Sequence, residues 1–344
     1  MDLNRLAAKS NNAKLAYHLI ENIQLYFVER LNSISHNVGN NQDFIPIEWF
    51  RNSGTNGGGV RFVSQDESIF NRAQVNFSQV QYELDSSKSL NSATAISTII
   101  HPFNPQAPSM HMHISYTELK NEHSYWRIMA DLNPAIFYKE DAIVFKNNLK
   151  TSSNNYFNEG YQQGSKYFYI PVLECHRGVE HFYLEGFSSG DFNVDSKFAK
   201  KIGESVIDTY ITIINNRINN DFSATDKEVQ LAYHTLYLFQ VLTLDRGTTS
   251  GLLIHNENDV GILGSIPSHI DTELLRSWVS KMPIPQDKLL NAICNTLGNG
   301  VVIIDDLMKQ KLCEVSRRHY QAYPEALTMQ ASGNQIPPTV NNHR

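Results

Sequence analysis

His111, His113 and Ser115 stand two residues apart in SMHMHISY and alternate with Met110, Met112, Ile114 and Tyr116. An extended chain turns successive side chains to opposite faces, so the imidazoles and the hydroxyl share one face and the apolar set takes the other. Imidazole exchanges protons near neutral pH, and a converging pair can also ligate a metal. An HxH pair is not a metal site by itself, since it needs a third ligand such as Asp131 or Glu174. The plain alternative is a solvated or internally bonded pair. Two arginines suggest a second chemistry. HRGV (176–179) and DRGT (245–248) each follow an apolar run. A guanidinium just past a strand end matches a carboxylate through two parallel hydrogen bonds, and the glycine beside it leaves a ligand room to approach. Arg177 and Arg246 therefore point to an acidic substrate, with ordinary ion pairs as the alternative. His101 precedes a proline at a strand end, where capping a turn is the bland reading, and Asp131 in ADLNP reads equally well as an Asx-turn residue.

Several elements must position these groups. Leu15, Leu19, Ile20, Ile23, Tyr26, Phe27 and Leu31 recur at three- and four-residue steps and predict an amphipathic helix over 13–32. SGTNGGGVRFVSQD reads as a glycine-rich loop leading into a strand, and 75–84, 93–101 and 110–117 are strand candidates. YFYIPVL (167–173) is a further apolar run, and Phe198, Ile202, Val206, Tyr210 and Ile214 mark a long helix. The stretch 226–240 starts as a helix. The short apolar runs 236–244, 251–254 and 260–266, separated by DRGTTS and HNEND, suggest antiparallel strands joined by turns. TELLRSWVSKM and KLLNAICNTL are helical, and ASGNQIPPTVNNHR is too polar to hold much structure. The expected class is α+β, a large antiparallel sheet flanked by helices on both faces. The expected division is a main domain over 1–284 and a C-terminal helical extension with a polar tail over 285–344.

The bulk properties of the 344 residues narrow the function classes. An apolar fraction of 41% and a charged fraction of 19% are those of a folded globular chain. A net charge of -6 argues against general nucleic-acid affinity, which needs cations that release condensed counterions. No window is apolar enough for a membrane span or secretory signal, so the expected location is cytoplasmic. Cys175, Cys294 and Cys313 lack the paired spacing of zinc sites or disulfide frameworks and are expected to be free thiols.

Taken in order, the motifs resemble those of the oxygen-dependent coproporphyrinogen III oxidases, from about residue 15 to residue 280. WFRNSGTNGGGVRFVSQDESIFNRAQVNFSQV is similar to that family's tryptophan, glycine-rich and glutamine-aspartate segment. IIHPFNPQAPSMHMHISY resembles its HPxNPxxPxxHxNxRY signature, ADLNP its DLTP, CHRG its HRGE, and LDRGTTSGL its DRGTxxGL. The resemblance implies a homodimer, and a cleft between sheet and helices that takes an acidic pyrrole or porphyrinogen. It further implies oxidation of propionates to vinyl groups by dioxygen as co-substrate, with no metal and no organic cofactor. Carried over by position, the catalytic group is His111, Asp131, Arg177, Asp245 and Arg246, and the substrate-binding group is His101, His113, Ser115 and His181. The carboxylates would hold pyrrole N–H groups, the arginines propionates, and His111 would move a proton.

The sequence also departs from the signature. Ser115 stands where the resembled family has arginine, His113 where it has asparagine, and Ile128-Met129-Ala130 where it has three glycines. His181 falls near a further arginine, and FYLEGFSSG replaces a glycine-rich stretch. These changes imply a smaller, less acidic ligand than a tetracarboxylate macrocycle. Three other readings are a specialised-metabolism paralogue acting on one ring, a non-catalytic tetrapyrrole-binding protein, and a metal-dependent oxygenase using His111 and His113.

Overall fold

The computed structural model describes residues 5–39, 42–65 and 67–336. The last eight residues of the tail expected to be polar and loose, 337–344, lie outside the described residues, as does Asp66 of the glycine-rich segment.

A long helix opens the chain, α1 (Asn11–Asn37), started by the Ser10 hydroxyl accepting from the Ala13 N–H. Such a cap contributes about 1 kcal/mol. Ala16, Ile20, Ile23, Phe27, Leu31 and Ile34 form its buried stripe, whereas Leu15 of the expected stripe is exposed. Six strands follow: β1 (Ile45–Phe50), β2 (Gly57–Val63), β3 (Phe70–Gln81), β4 (Leu90–Pro102), β5 (Ser109–Leu119) and β6 (Ser124–Asn133). After α2 (Lys139–Ser153) and α3 (Phe157–Phe168), a short hairpin pairs Tyr169–Ile170 with Cys175–His176, and β7 (Glu180–Phe187) completes the sheet. The seven strands are all antiparallel, in the order β1-β2-β3-β4-β5-β6-β7.

The glycine triplet is a strand rather than the expected loop. A Cβ on Gly57, Gly58 or Gly59 would lie 2.0–2.2 Å from a carbonyl oxygen of a flanking strand, so only glycine allows this close approach.

Two helical layers cover the sheet. On one face, α1 and α4 (Phe192–Arg217) pack on Val75, Ile96, Met112, Ile114, Ile128 and Phe182. The other face is covered by α5 (Ala224–Thr243), α6 (Arg246–Ile254) and α7 (Asp259–Ile262), and α8 (Thr272–Ser277), α9 (Gln286–Leu297) and α10 (Asp306–Ala322) pack behind them. These helices share a second core built on Leu238, Phe239, Leu242, Leu289, Ile293 and Leu312. The α+β class with helices on both faces is therefore realised, and helices of the segment beginning at residue 285 are part of that second core.

The runs expected as strands over 236–266 are helices α5, α6 and α7. Helix α5 begins as expected, with Glu228 and Val229 exposed, but Tyr233, His234, Tyr237, Leu238, Gln240, Val241 and Leu242 are all buried, so its second half is enclosed around most of its circumference and shows no polar face. Short apolar runs of that kind carry no usable period. Consequently Arg246 begins a helix and does not end a strand. No helix among the described residues is long and apolar enough to cross a membrane.

Candidate active site

Strand register sets three rows of side chains on the sheet face that looks toward α5 and α6. Gln74, Ile99, His111, Asp131 and His181 are aligned across β3 to β7, and Asn76, Ser97, His113, Met129 and Tyr183 form the next row. Ser78, Ala95, Ser115 and Arg127 make the third. The face expected to be polar on β5 is thus covered by a helical layer, with a cavity of about 310 Å³ left between. That volume is at the low end of the roughly 300–1,000 Å³ usual for ligand pockets. His111, His113, Arg127, Met129 and Tyr183 line it from the sheet, and Tyr167, Arg177, Tyr237, Asp245 and Arg246 from the other side.

Asp131 is fully buried and organises one end. One oxygen accepts from His111 Nδ1 at 2.7 Å, and the other from Arg177 at 2.7 Å and the Asn133 amide at 2.6 Å. Burial alone would raise the Asp131 carboxyl. The Arg177 guanidinium and then His111 outweigh it and hold the group far below the usual carboxylate range. His111 is thus tied to Asp131 through Nδ1 and lines the cavity with the rest of its ring. Arg177 also donates to Gln240 at 2.7 Å and lies over the rings of Phe168 and Tyr237. The neighbouring Gly178, at φ +79, lets the chain approach β6, since a Cβ there would meet Asn133 and the Leu132 carbonyl at 2.5 and 2.6 Å. The room it creates serves the protein's own strand and not a ligand.

Asp245 caps α6. Its oxygens accept from the Thr248 N–H at 2.6 Å and the Tyr167 hydroxyl at 2.9 Å. Arg246 follows it, buried, with one long contact of 3.5 Å to the Gln330 carbonyl and no acidic partner among the described residues. Gln330 is anchored by donating to Thr249 and Tyr320, and Ala331 packs on the Met129, Tyr167 and Tyr183 cluster. The segment after α10 therefore backs the cavity wall.

Of the residues expected at the site, His111, His113, Arg177, Asp245 and Arg246 line one cavity, and Asp131 sits directly behind it. His101, Ser115 and His181, expected to touch substrate, lie off the wall. His101 is bonded to Ser109 at 2.8 Å under the rings of Tyr233, His234 and Tyr237. Ser115 is bonded to His113 at 3.1 Å. His181 donates to the Arg177 carbonyl at 2.6 Å and stacks between Phe168 and His176, where burial lowers its pKa to about 4. Ile128 and Ala130 belong to the opposite core, so only Met129 of the three residues at the glycine position bulks out the cavity. Sequence reasoning missed Arg127, Tyr167, Tyr183 and Tyr237. Reading YWRIMADLN as a strand would have found Arg127, which alternates with Met129 and Asp131. Among the described residues, no cluster of three or more His, Cys, Asp or Glu could hold a metal ion.

The model of the coproporphyrinogen III oxidase family matches residues 16–292. The chain belongs to that family. It is 28% identical over 260 residues to the mitochondrial oxygen-dependent coproporphyrinogen-III oxidase of Mus musculus, an alignment covering 68% of this chain and 58% of that one. Against the Drosophila melanogaster oxygen-dependent coproporphyrinogen-III oxidase the identity is 27% over 314 residues, covering 84% and 79%. Against that of Rickettsia akari it is 29% over 246 residues, covering 66% and 84%. The chain spans 58% of the length of the mouse and rat relatives. Every cavity-lining residue named above falls within the coproporphyrinogen III oxidase match, whereas Gln330 and Ala331 lie beyond it.

Proposed function

We propose that this cavity oxidatively decarboxylates a propionate side chain on a pyrrole to a vinyl group, with dioxygen as oxidant and no metal or organic cofactor. RCH2CH2COOH and O2 become RCH=CH2, CO2 and H2O2, so the side chain gives up two electrons and dioxygen takes them with two protons. The observation that carries the reading is the Arg246 guanidinium, buried without an acidic partner among the described residues and facing the same space as His111 and Asp245. A desolvated guanidinium left unpaired is costly, and an arriving carboxylate offsets that cost. His111 Nε2 is the proton acceptor, tuned in orientation by Asp131. Asp245 keeps lone pairs beyond those used by Thr248 and Tyr167 and takes a pyrrole N–H. Asp131 and Arg177, tied to each other, act as positioning residues.

The names of the mouse, fly and Rickettsia relatives support a dioxygen-using reaction and a ligand of the porphyrinogen class. A homodimer belongs to the same proposal, on the family likeness. So does a cytoplasmic setting, supported by three free cysteines. The test loads the protein with a porphyrinogen without oxygen, then admits air and follows product mass. Loss of carbon dioxide plus two hydrogen atoms, with hydrogen peroxide formed in step and no effect of chelator, is expected. No decarboxylated product would remove the reading. About one tightly bound metal per chain, with activity lost on its removal, would favour an oxygenase built on His111 and His113.

A further inference from the structure

Ser115 brings no charge to its place on β5, and the fold supplies a guanidinium at the same register from the next strand. Ser115 pairs directly with Arg127 on β6, and Arg127 reaches the cavity wall. This guanidinium is already engaged. Its Nε and one terminal nitrogen donate to the two oxygens of Glu185 on β7, at 2.5 and 2.9 Å. Glu185 is buried and also accepts from the Tyr183 hydroxyl. Burial alone would lower the pKa of Arg127, but Glu185 outweighs it and drives the value upward, so Arg127 stays charged.

The cations around the cavity then fall into two kinds. Arg177 and Arg127 are each bound to a buried carboxylate, Asp131 and Glu185. Arg246 in the wall has no acidic partner among the described residues. A fork held by one buried carboxylate is closed to a second, because displacing the first would leave a buried charge without its partner.

We infer that the Arg127–Glu185 pair is a specificity-determining wall, which closes the β6 end of the cavity to carboxylates and limits the ligand to acids with one or two carboxylates, with Arg246 as the guanidinium open to them. The inference deepens the proposed function and rests on it only in taking this cavity as the ligand site.

The test is a binding ladder of benzene acids carrying one, two, three or four carboxylates. It is measured by calorimetry on the wild-type protein, Glu185→Gln, Arg127→Gln and the double variant, each first checked for folding by circular dichroism. Wild-type and double variant, both neutral at this wall, should bind the tri- and tetra-acids no better than the diacid. Glu185→Gln releases the guanidinium and should favour the tri- and tetra-acids over the diacid by about tenfold. Arg127→Gln leaves the carboxylate facing the ligand, and affinity should fall with each added carboxylate, so either single variant suffices if the other does not fold. A ladder that is flat in all four proteins, or that rises with carboxylate number in the wild type, overturns the inference. The ladder contains no porphyrinogen, so it reads out even if porphyrinogen turnover fails. Turnover without the expected ladder leaves the proposed function standing and removes only the wall.

Discussion

A fully buried carboxylate can hold two hydrogen-bonding neighbours at once, and Asp131 does so with His111 and Arg177. The division of labour that follows is testable residue by residue. His111→Ala should lower turnover roughly a hundredfold or more while ligand affinity changes little, in steady-state kinetics set beside direct titration. Equal losses in both would make His111 an anchor only. Arg246→Lys keeps the charge but loses the planar fork, so an acidic pyrrole should bind about 1–3 kcal/mol more weakly by calorimetry. Titration adds a third outcome. His181 is lowered by burial to about 4, from about 6.5 in an unfolded chain. A depressed group keeps its native contribution above the unfolded value and loses it as pH falls through the folded value. Stability should therefore drop between about pH 6.5 and pH 4, by up to about 3 kcal/mol from this residue alone. His181→Gln should flatten the slope of Tm against pH in that window, and an unchanged slope would assign the titration to another group. None of these partners is adjacent in sequence. Residue types announced the chemistry, but the place of His181 against the Arg177 carbonyl did not show.

At the scale of elements, the strand β5 was legible because alternation of Met and His is a local property of an extended chain. The start of α5 was legible too, but its second half was not, because a helical stretch enclosed on most sides carries no polar stripe. That misreading moved Arg246 from a helix start to a strand end, and so hid the capping role of Asp245. The segment after α10 shows the same limit: its polar composition gave no hint that Gln330 and Ala331 pack behind Arg246 and the tyrosine cluster. A chain ending at Met329 should bind an acidic pyrrole severalfold more weakly. Its calorimetric unfolding should stay within a few degrees of the full chain, since α9 and α10 keep their core. An unchanged dissociation constant would confine the segment to packing.

For the molecule as a whole, one sheet serves two cores: its apolar face is sealed by α1 and α4, and its polar face is roofed by α5 and α6 over the cavity. The sequence by itself determined the class of fold, the collinear motifs that mark the family, and the sharing of one face by His111 and His113. Each of these is written in local periodicity or motif order. Only the tertiary structure decided that Asp131 stands behind the wall and not in it, that Arg127 arrives with Glu185, and that Arg246 has no acidic partner among the described residues. Those outcomes depend on the register between strands and on which helix covers which row. Register and cover are set by packing between segments tens to hundreds of residues apart, and no spacing within a single segment encodes them.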